Sequence, residues 1–412
     1  MYYFYWLPVG TDARVRSTPW VTLSIVLLNL FSHGIALASR GDAATLYALA
    51  FKAAEPSVGT AIASLFLHAD LLHLLGNLVF LAVFGPPLEA RLGRVRFTIA
   101  YLACGWLSNL AQAAAILAWW PDLTSVPIVG ASGAISGLMG LFLVRLYYAR
   151  LRFVSFTMLL LQGVAKPASF SLPAIVGIGL WLALTLAYQF VGIASETAYI
   201  AHLGGAAFGM VFGLAMGLVP EARLERHLAV GARYADRGEW FAALGEYESF
   251  LAKDPADPEA LAQAARLQRV THQEAQSASR FREAIRQYLL RGDARSACDL
   301  YEEMRRLLGG GVVLPAADQL RIARGFEELG RPSEASRAYE AYGKRYPDRH
   351  LATLAMLKSA DIQRRALNNP GRARYIYEEL ARRALPADVE AIVKDRLAAT
   401  MRAAERLEKG AA

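Results

Sequence analysis

The sequence predicts an all-α protein in two parts, a six-helix transmembrane bundle at 1–218 and a soluble helical repeat (solenoid) domain at 219–412. Residues 1–218 hold only 11 of the 44 Lys and Arg residues and 7 of the 36 Asp and Glu residues, so the charged residues are concentrated in the second part. Long uncharged stretches occur only in the first part. The net charge of +8 is spread over both parts, which argues against a nucleic-acid partner.

Hydropathy indicates six spans, since a hydrocarbon core of ~30 Å needs ~20 apolar residues. The predicted spans are roughly 19–38, 62–84, 97–118, 128–148, 172–192 and 198–218. Basic residues cluster before the first span and after the second, fourth and sixth spans, whereas the loops after the third and fifth carry Asp122 and Glu196. The positive-inside rule therefore predicts that both termini are cytoplasmic, although Arg40 and Lys52 in the long first loop weaken the pattern. The expected location is a bacterial inner or plasma membrane, as a multi-pass protein.

One apolar piece does not fit this scheme. Residues 153–165 are too few to span, and basic residues lie at both ends. We expect an interfacial or re-entrant segment on the cytoplasmic side.

A serine and a histidine lie near the beginnings of two uncharged spans. Ser132 lies within 123–144 and His202 within 197–220, and neither stretch contains Asp, Glu, Lys or Arg. Polar side chains inside a membrane are costly and are by default functional. Because both spans begin at the outer face, the two residues are expected at similar depth. A serine hydroxyl becomes a nucleophile when a base removes its proton, so the pair predicts nucleophilic chemistry within the bilayer.

Small residues follow each member of this pair. Ser132 comes after Gly130 and is predicted to open a helix, whose N-terminal amides and dipole suit a developing negative charge. Small residues at short spacing let membrane helices approach to backbone contact. The residues concerned are Gly133, Ser136, Gly137 and Gly140 in the fourth span and Gly205, Gly209, Gly213 and Gly217 in the sixth. The spacing therefore predicts close contact between these two helices.

The second span adds two hydrogen-bond donors. His73 and Asn77 are four residues apart and so share one helix face. Both side chains can donate to an oxyanion, together with the backbone N–H of Ser132. Simple interhelical hydrogen bonding is the alternative. His68, at the mouth of the same span, is expected to be an interfacial or loop-anchoring residue.

Together these motifs resemble the rhomboid family of intramembrane serine proteases, over about residues 15–218. The matching stretches are HLLGN at 73–77, EARLG at 89–93, GASGAISGLMG at 130–140 and AHLGG at 201–205, followed by Gly209. Their order, spacing and positions on the second, fourth and sixth spans match together. The resemblance implies Ser132 as the nucleophile and His202 as the general base without an aspartate. It also implies His73 and Asn77 as oxyanion donors.

One position departs from the family. Members often carry an aromatic residue four positions after the serine, where it packs on the catalytic imidazole, but this chain has Ser136. The departure concerns how firmly His202 is held, and so the rate more than the reaction. The resemblance further implies that Glu89 and Arg91 are structural residues at the cytoplasmic end of the second span.

The second part contains four copies of the pattern Ala-x-x-x-Tyr-Glu-x-apolar. They begin at Ala243, Ala297, Ala335 and Ala373, at intervals of 54, 38 and 38 residues. A glycine lies five residues before the alanine in three copies, and Asn368 takes its place in the fourth. The pattern resembles tetratricopeptide-type helix–turn–helix repeats, whose period is about 34 residues. Such solenoids bind proteins or peptides, and a packing domain without a ligand is the alternative.

These observations predict a serine endopeptidase that cleaves transmembrane segments of other membrane proteins. A rhomboid-like pseudoprotease is disfavoured because Ser132 and His202 are both present. A transporter is also disfavoured, because it would lead one to expect internal repeats among the spans or broken helices with paired ionisable residues, and the sequence shows neither. The expected partners are transmembrane substrates, the lipid bilayer and a protein partner of the repeat domain. No metal or cofactor is expected, since no cluster of ligands has metal-site spacing.

Overall fold

The computed structural model describes residues 2–15, 17–38, 48–159, 165–191, 199–348 and 350–410. Contacts divide the chain into two compact units, Met1–Ala229 and Val230–Ala412. Helices dominate both units, which confirms the predicted fold class. The loop residues Arg40 and Glu196, which entered the topology prediction, lie outside the described residues.

Apolar helices occupy all six predicted span positions of the first unit. Its helices are α1 (Trp20–Ala38), α2 (Val58–Ala63), α3 (Leu71–Leu92), α4 (Arg94–Trp119), α5 (Ser132–Arg145), α6 (Ala174–Val191), α7 (Tyr199–Ala215) and α8 (Leu218–Asp236). By length and composition, α1, α3 and α4 can each cross a membrane. The pair α7 and α8, bent by 89°, makes a fourth span if it is counted as one. Helices α5 and α6 are apolar but shorter, so length and composition alone support three or four of the six predicted spans.

The second span differs from its predicted bounds of 62–84. Helix α3 begins only at Leu71, because the carboxylate of Asp70 accepts a hydrogen bond from the His73 backbone N–H at 2.8 Å. The residues before it form α2 and a 3-10 turn at Ser64–Phe66. The first amides of a helix need acceptors, and an aspartate cap supplies one. This cap, and not the apolar run, determines where α3 begins.

A three-stranded antiparallel sheet, which the sequence analysis did not predict, joins the N-terminal strand to two strands that lie between α5 and α6 in the chain. Its strands are β1 (Tyr2–Thr11), β2 (Arg150–Leu159) and β3 (Ala165–Pro173), in the order β1-β2-β3. The expectation that residues 153–165 are an interfacial or re-entrant segment did not specify strands, and the position of this segment relative to the membrane stays a prediction. Its described parts are strands, and residues 160–164 lie outside the described residues. Because β1 pairs with β2 from far away in the chain, no local pattern indicated the pairing.

Helices α5 and α7 contact each other backbone to backbone. A Cβ atom on Gly209 of α7 would overlap the carbonyl oxygen of Gly137 on α5, and one on Gly140 would overlap the carbonyl oxygen of Ala206. The predicted close approach of these two helices is therefore confirmed. On the other side of Gly137, a Cβ would overlap Cys104 of α4, so three helices meet at this point.

The second unit is a succession of helices, each packed against the next. They are α9 (Trp240–Leu251), α10 (Pro258–Val270), α11 (Glu274–Leu290), α12 (Ala294–Leu308), α13 (Ala316–Glu328), α14 (Pro332–Arg345), α15 (Ala352–Arg365), α16 (Pro370–Ala381) and α17 (Ala387–Gly410). The repeated Ala-Tyr pattern lies on α9, α12, α14 and α16. Each 38-residue interval therefore advances two helices, whereas the 54-residue interval advances three. The four repeat tyrosines are buried: Tyr247, Tyr301, Tyr339 and Tyr377.

The residue five positions before the alanine of each repeat has the same backbone conformation in all four copies. Gly238, Gly292 and Gly330 have φ of +77°, +75° and +69°, and Asn368 has φ of +48°. A left-handed residue at this point ends one helix and redirects the chain into the next. Asparagine tolerates this region better than most residues, which explains why Asn368 can replace the glycine.

Candidate active site

The structure brings the predicted nucleophile and base together. Helix α5 begins at Ser132, and the Ser132 Oγ lies 2.8 Å from His202 Nε2 in the first turn of α7. Both side chains are partly buried in this contact. The distance is short enough for a hydrogen bond, and it depends on the close backbone approach of α5 and α7.

Residues 128–131, called the strap here, lead into Ser132 and are held from two sides. Gly130 donates its backbone N–H to the Ser64 carbonyl oxygen at 2.9 Å, and Ile128 forms a β-bridge with Phe51. Gly130 has φ of +121°, and a Cβ added there would lie 2.8 Å from His73 Nε2. Both the backbone conformation and the lack of space therefore require glycine at this position.

His73 and Asn77 lie beside this strap on α3. Asn77 is 7% exposed, and its Nδ2 makes no hydrogen bond within the part of the chain that the structure describes. The Cβ position of Gly130 lies 3.8 Å from that nitrogen. His68 packs edge-on against His73, with ring centroids 5.1 Å apart. All four predicted site residues, Ser132, His202, His73 and Asn77, are thus grouped around the strap.

Two amide side chains of α4, which the sequence analysis missed, support the site. Asn109 Nδ2 donates to the Ala61 carbonyl oxygen and to Ser64 Oγ, both at 3.0 Å, and so fixes the segment that holds Gly130. Gln112 Oε1 accepts from the backbone N–H of Ala201 at 3.0 Å, directly before His202. Polar amides inside an apolar span were the available signal, because such residues seldom lie there without a role.

Two rings, also missed, lie against the imidazole of His202. Trp181 of α6 and Tyr199 of α7 have ring centroids 5.8 Å and 6.4 Å from it. Ser136, where the family often has an aromatic residue, instead donates its hydroxyl to the Ser132 carbonyl oxygen at 2.7 Å. The aromatic neighbours of the imidazole therefore come from α6 and α7.

The opposite end of α3 carries ion pairs and a helix cap. Glu89 accepts hydrogen bonds from the Thr22 N–H and hydroxyl, both at 2.7 Å, at the beginning of α1. A carboxylate at this position is favoured by the helix dipole. Arg91 Nε donates to Glu225 of α8 at 3.0 Å, and Arg145 Nη2 lies 2.9 Å from the same carboxylate. These residues join α1, α3, α5 and α8 at one end of the unit.

Comparison with known families gives two matches. A model of the rhomboid domain matches residues 55–218, and a tetratricopeptide repeat model matches residues 319–349. The chain carries a rhomboid domain. The domain contains all four residues predicted for the site, and the repeat match covers the C-terminal part of α13 and all of α14.

Three curated proteins are similar to part of this chain. Rhomboid protein 1, mitochondrial, of Saccharomyces cerevisiae is 30% identical over 184 residues, which are 42% of this chain and 46% of that protein. A candidate rhomboid protease of Bacillus subtilis, YdcA, is 37% identical over 82 residues, 20% of this chain and 38% of its own. RHOMBOID-like protein 6, mitochondrial, of Arabidopsis thaliana is 27% identical over 164 residues, 40% of this chain and 45% of its own. The chain thus spans less than half the length of each relative.

Proposed function

We propose that the rhomboid domain is a serine endopeptidase that cleaves transmembrane segments of other proteins through Ser132 and His202. The 2.8 Å contact between Ser132 Oγ and His202 Nε2 carries this proposal. A hydroxyl and an imidazole at hydrogen-bond distance are the nucleophile and base that acyl transfer needs. Their position in two uncharged stretches, 123–144 and 197–220, makes a membrane-embedded peptide bond the fitting substrate.

In this mechanism His202 Nε2 accepts the Ser132 hydroxyl proton while Oγ attacks the carbonyl carbon of the scissile bond. The tetrahedral intermediate collapses, the C–N bond breaks, and His202 gives the proton to the leaving amine. A water molecule then attacks the acyl-enzyme with His202 again acting as base. This step releases the carboxylic acid and returns the proton to Ser132 Oγ.

The oxyanion of the intermediate would accept hydrogen bonds from Asn77, His73 and the Ser132 N–H. The support for Asn77 is its buried Nδ2, which makes no hydrogen bond within the described residues. A buried amide donor without an acceptor is costly, so a reaction that supplies the acceptor explains why it lies there. Simple interhelical hydrogen bonding is the alternative role of His73 and Asn77. It would instead require a hydrogen-bond partner on a neighbouring helix.

Substrate choice follows from backbone chemistry. A helical segment hides its carbonyl groups, so it must unwind locally before Ser132 can attack. We expect cleavage near Gly, Ala or Pro at the outer leaflet, where helices unwind more easily. Helix α5 has 14 residues and is therefore only about 21 Å long, less than the ~30 Å hydrocarbon core. A short α5 supports a site that lies below the outer surface yet can be reached by water.

The second unit, called the repeat unit below, is proposed to bind protein partners or substrates on the cytoplasmic side, where the positive-inside rule puts both termini. Binding there would raise the local concentration of a substrate protein near the first unit, called the membrane unit below. We place the boundary between the two domains near Ala229 and not at 218, because Glu225 pairs with Arg91. The compartment stays a prediction, since two of the three relatives are mitochondrial by name and one is bacterial.

The test is covalent labelling of the purified full chain in detergent with a fluorophosphonate probe, which captures an activated serine. We expect labelling of the wild type and none of Ser132→Ala or His202→Ala. Ser24→Ala, which removes a hydroxyl from the exposed surface of α1, should label like the wild type. Equal labelling of wild type and Ser132→Ala would contradict the proposal. An unlabelled wild type that still binds transmembrane segments would favour a pseudoprotease.

A further inference from the structure

The His202 imidazole lies between two rings that belong to different helices. The Trp181 ring is tilted by 37° to the imidazole at 5.8 Å, and the Tyr199 ring meets it edge-on, at 88° and 6.4 Å. Aromatic rings attract each other in these arrangements when their centroids lie ~4.5–7 Å apart. Both contacts are therefore close enough to favour one orientation of the imidazole.

Helix α5 does not supply such a ring one turn below the nucleophile. Ser136 is 1% exposed, and its hydroxyl hydrogen-bonds back to the Ser132 carbonyl oxygen in its own helix. A side chain of this size does not reach across to pack on an imidazole. The contact that the family often makes from α5 must here come from elsewhere.

The Trp181 ring is itself supported. Phe80 of α3 lies 6.3 Å from it, and Phe80 stacks on Phe84, which meets Phe142 of α5 edge-on at 5.2 Å. Trp181 is thus the end of a row of rings that reaches from α5 through α3 to α6. A side chain packed in this way has few alternative rotamers and can hold a neighbour in place.

We propose that Trp181 and Tyr199 are positioning residues that hold the His202 imidazole with Nε2 directed at Ser132 Oγ, in place of the aromatic residue that position 136 lacks. This inference rests on the proposed serine protease function. A dyad has no third side chain to orient its base, and the χ2 angle of histidine is intrinsically broad. Ring packing therefore sets the plane of the imidazole. The Trp181 ring also favours the imidazolium that forms during attack, since a cation is attracted to an aromatic ring.

Replacement of Trp181 separates this role from binding. Trp181→Leu keeps an apolar side chain but removes the ring, and we expect kcat on a transmembrane substrate to fall roughly 3- to 10-fold, with KM nearly unchanged. Trp181→Phe keeps a ring and should stay within about twofold of wild type. The rate of fluorophosphonate labelling should follow kcat, because it depends on the same proton transfer. Tyr199→Leu should act in the same direction with a smaller effect, because its ring lies farther from the imidazole.

Phe80→Leu is the matched control. It removes the ring contact between α3 and Trp181 and leaves both rings beside His202. Phe80→Leu loosens the support of the Trp181 ring without removing that ring, so if Trp181 acts on the imidazole, kcat should fall clearly less than in Trp181→Leu. If Trp181 only packs α6 against α3, Phe80→Leu and Trp181→Leu should lose activity equally, which would overturn the inference.

The other possible results of these experiments also distinguish the positioning role from the protease function. A labelled wild type with Trp181→Leu labelled at the same rate refutes the positioning role and leaves the protease function intact. An unlabelled wild type refutes the protease function itself. If Trp181→Leu does not insert or has a much lower Tm, Tyr199→Leu and Trp181→Phe replace it. In that case two results together would refute the inference. Tyr199→Leu would be labelled at the wild-type rate, and Trp181→Phe would lose as much activity as is expected for removal of the ring.

Discussion

The two units of this chain pack their helices in opposite ways. In the membrane unit, α5 and α7 meet at Gly137 and Gly209, where no side chain separates the two backbones. In the repeat unit, large buried side chains such as Tyr301 and Phe326 fill the space between helices. Water drives apolar side chains together in the repeat unit, but lipid offers no such force, so membrane helices gain by close backbone contact. This contact also brings Ser132 within reach of His202.

Two particular buried amides, Gln319 and Asn77, also differ, although other amides of the membrane unit, such as Asn109, are hydrogen-bonded. In the repeat unit, Gln319 accepts from the Leu314 N–H at 3.1 Å and donates to Tyr301 Oη at 2.8 Å and to the Ala338 carbonyl oxygen at 3.0 Å. In the membrane unit, Asn77 Nδ2 has no such partner among the described residues. A satisfied amide stabilises a fold, whereas an unsatisfied one at a reactive group points to chemistry.

The largest effect should come from filling the glycine contact. Gly209→Leu should abolish cleavage and probe labelling, because even a Cβ there would overlap the Gly137 carbonyl oxygen. Gly34→Leu on α1, where a Cβ would meet nothing within 4 Å, is the control and should keep wild-type activity. In the repeat unit, a Cβ from Gly343→Ala would overlap Met356 Cγ and lie 3.2 Å from the Ala352 carbonyl oxygen, so this variant should lower Tm without changing activity. Cleavage by Gly209→Leu at the wild-type rate would show that the contact does not position the site.

The next largest effect concerns the buried amides. Asn77→Ala should lower kcat about 100-fold with a small change in KM, the low end of what one oxyanion donor contributes. Gln319→Ala should do the reverse: it should lower the Tm of the repeat unit and leave labelling of Ser132 unchanged. Steady-state kinetics and thermal unfolding of both variants check this. An unchanged kcat in Asn77→Ala would make that residue structural.

A smaller effect is expected from removing the repeat unit, and it should depend on the residue at which the shortened chain ends. A chain ending at 236 keeps Glu225 with Arg91 and Arg145, whose side chains are only 10% and 7% exposed. It should react with the serine probe as the full chain does. A chain ending at 220 leaves both guanidinium groups without this carboxylate, and a largely buried charge that loses its partner destabilises the fold. We therefore expect a lower Tm and weaker labelling for the chain ending at 220. Equal Tm values for the two would refute the role of Glu225.

The smallest effect should be the acid sensitivity of the repeat unit. Burial by itself raises the pKa of the Glu340 carboxyl, but hydrogen bonds from Lys344 and Arg372 outweigh it and hold the pKa below its ordinary value. The folded state therefore binds this proton less readily than the unfolded state. The stabilisation is present above about pH 4.5 and is lost as the pH falls through the folded pKa.

Glu340→Gln should therefore have a flatter dependence of Tm on pH between about 3 and 6 than wild type, with a difference of a few degrees. Glu378→Gln, at the corresponding position of the next repeat and more exposed, is the control. Parallel curves for wild type and Glu340→Gln would contradict the assignment.

Much of the site could be read from local patterns. The apolar stretches, the spacing of small residues around Ser132 and His202, and the His73 and Asn77 pair each have a physical meaning within one helix. The left-handed residues before the repeats, including Asn368, were also visible, because few residue types adopt that conformation.

Other features depended on distant parts of the chain. The sheet joins β1 to β2 across α1 to α5, and the beginning of α3 depends on the Asp70 cap inside an apolar run. Trp181 and Tyr199 read as ordinary span residues until the fold places them beside His202.

The sequence by itself therefore determined which helices could enter a membrane, which residues could react and where the repeats turn, because these properties depend on side-chain chemistry and spacing along one helix. Only the tertiary structure decided which rings pack on His202, which amides hold the strap before Ser132 and which carboxylate pairs with Arg91. Those contacts join residues far apart in the chain. Their geometry depends on how closely the helix backbones approach, and no single segment encodes that distance.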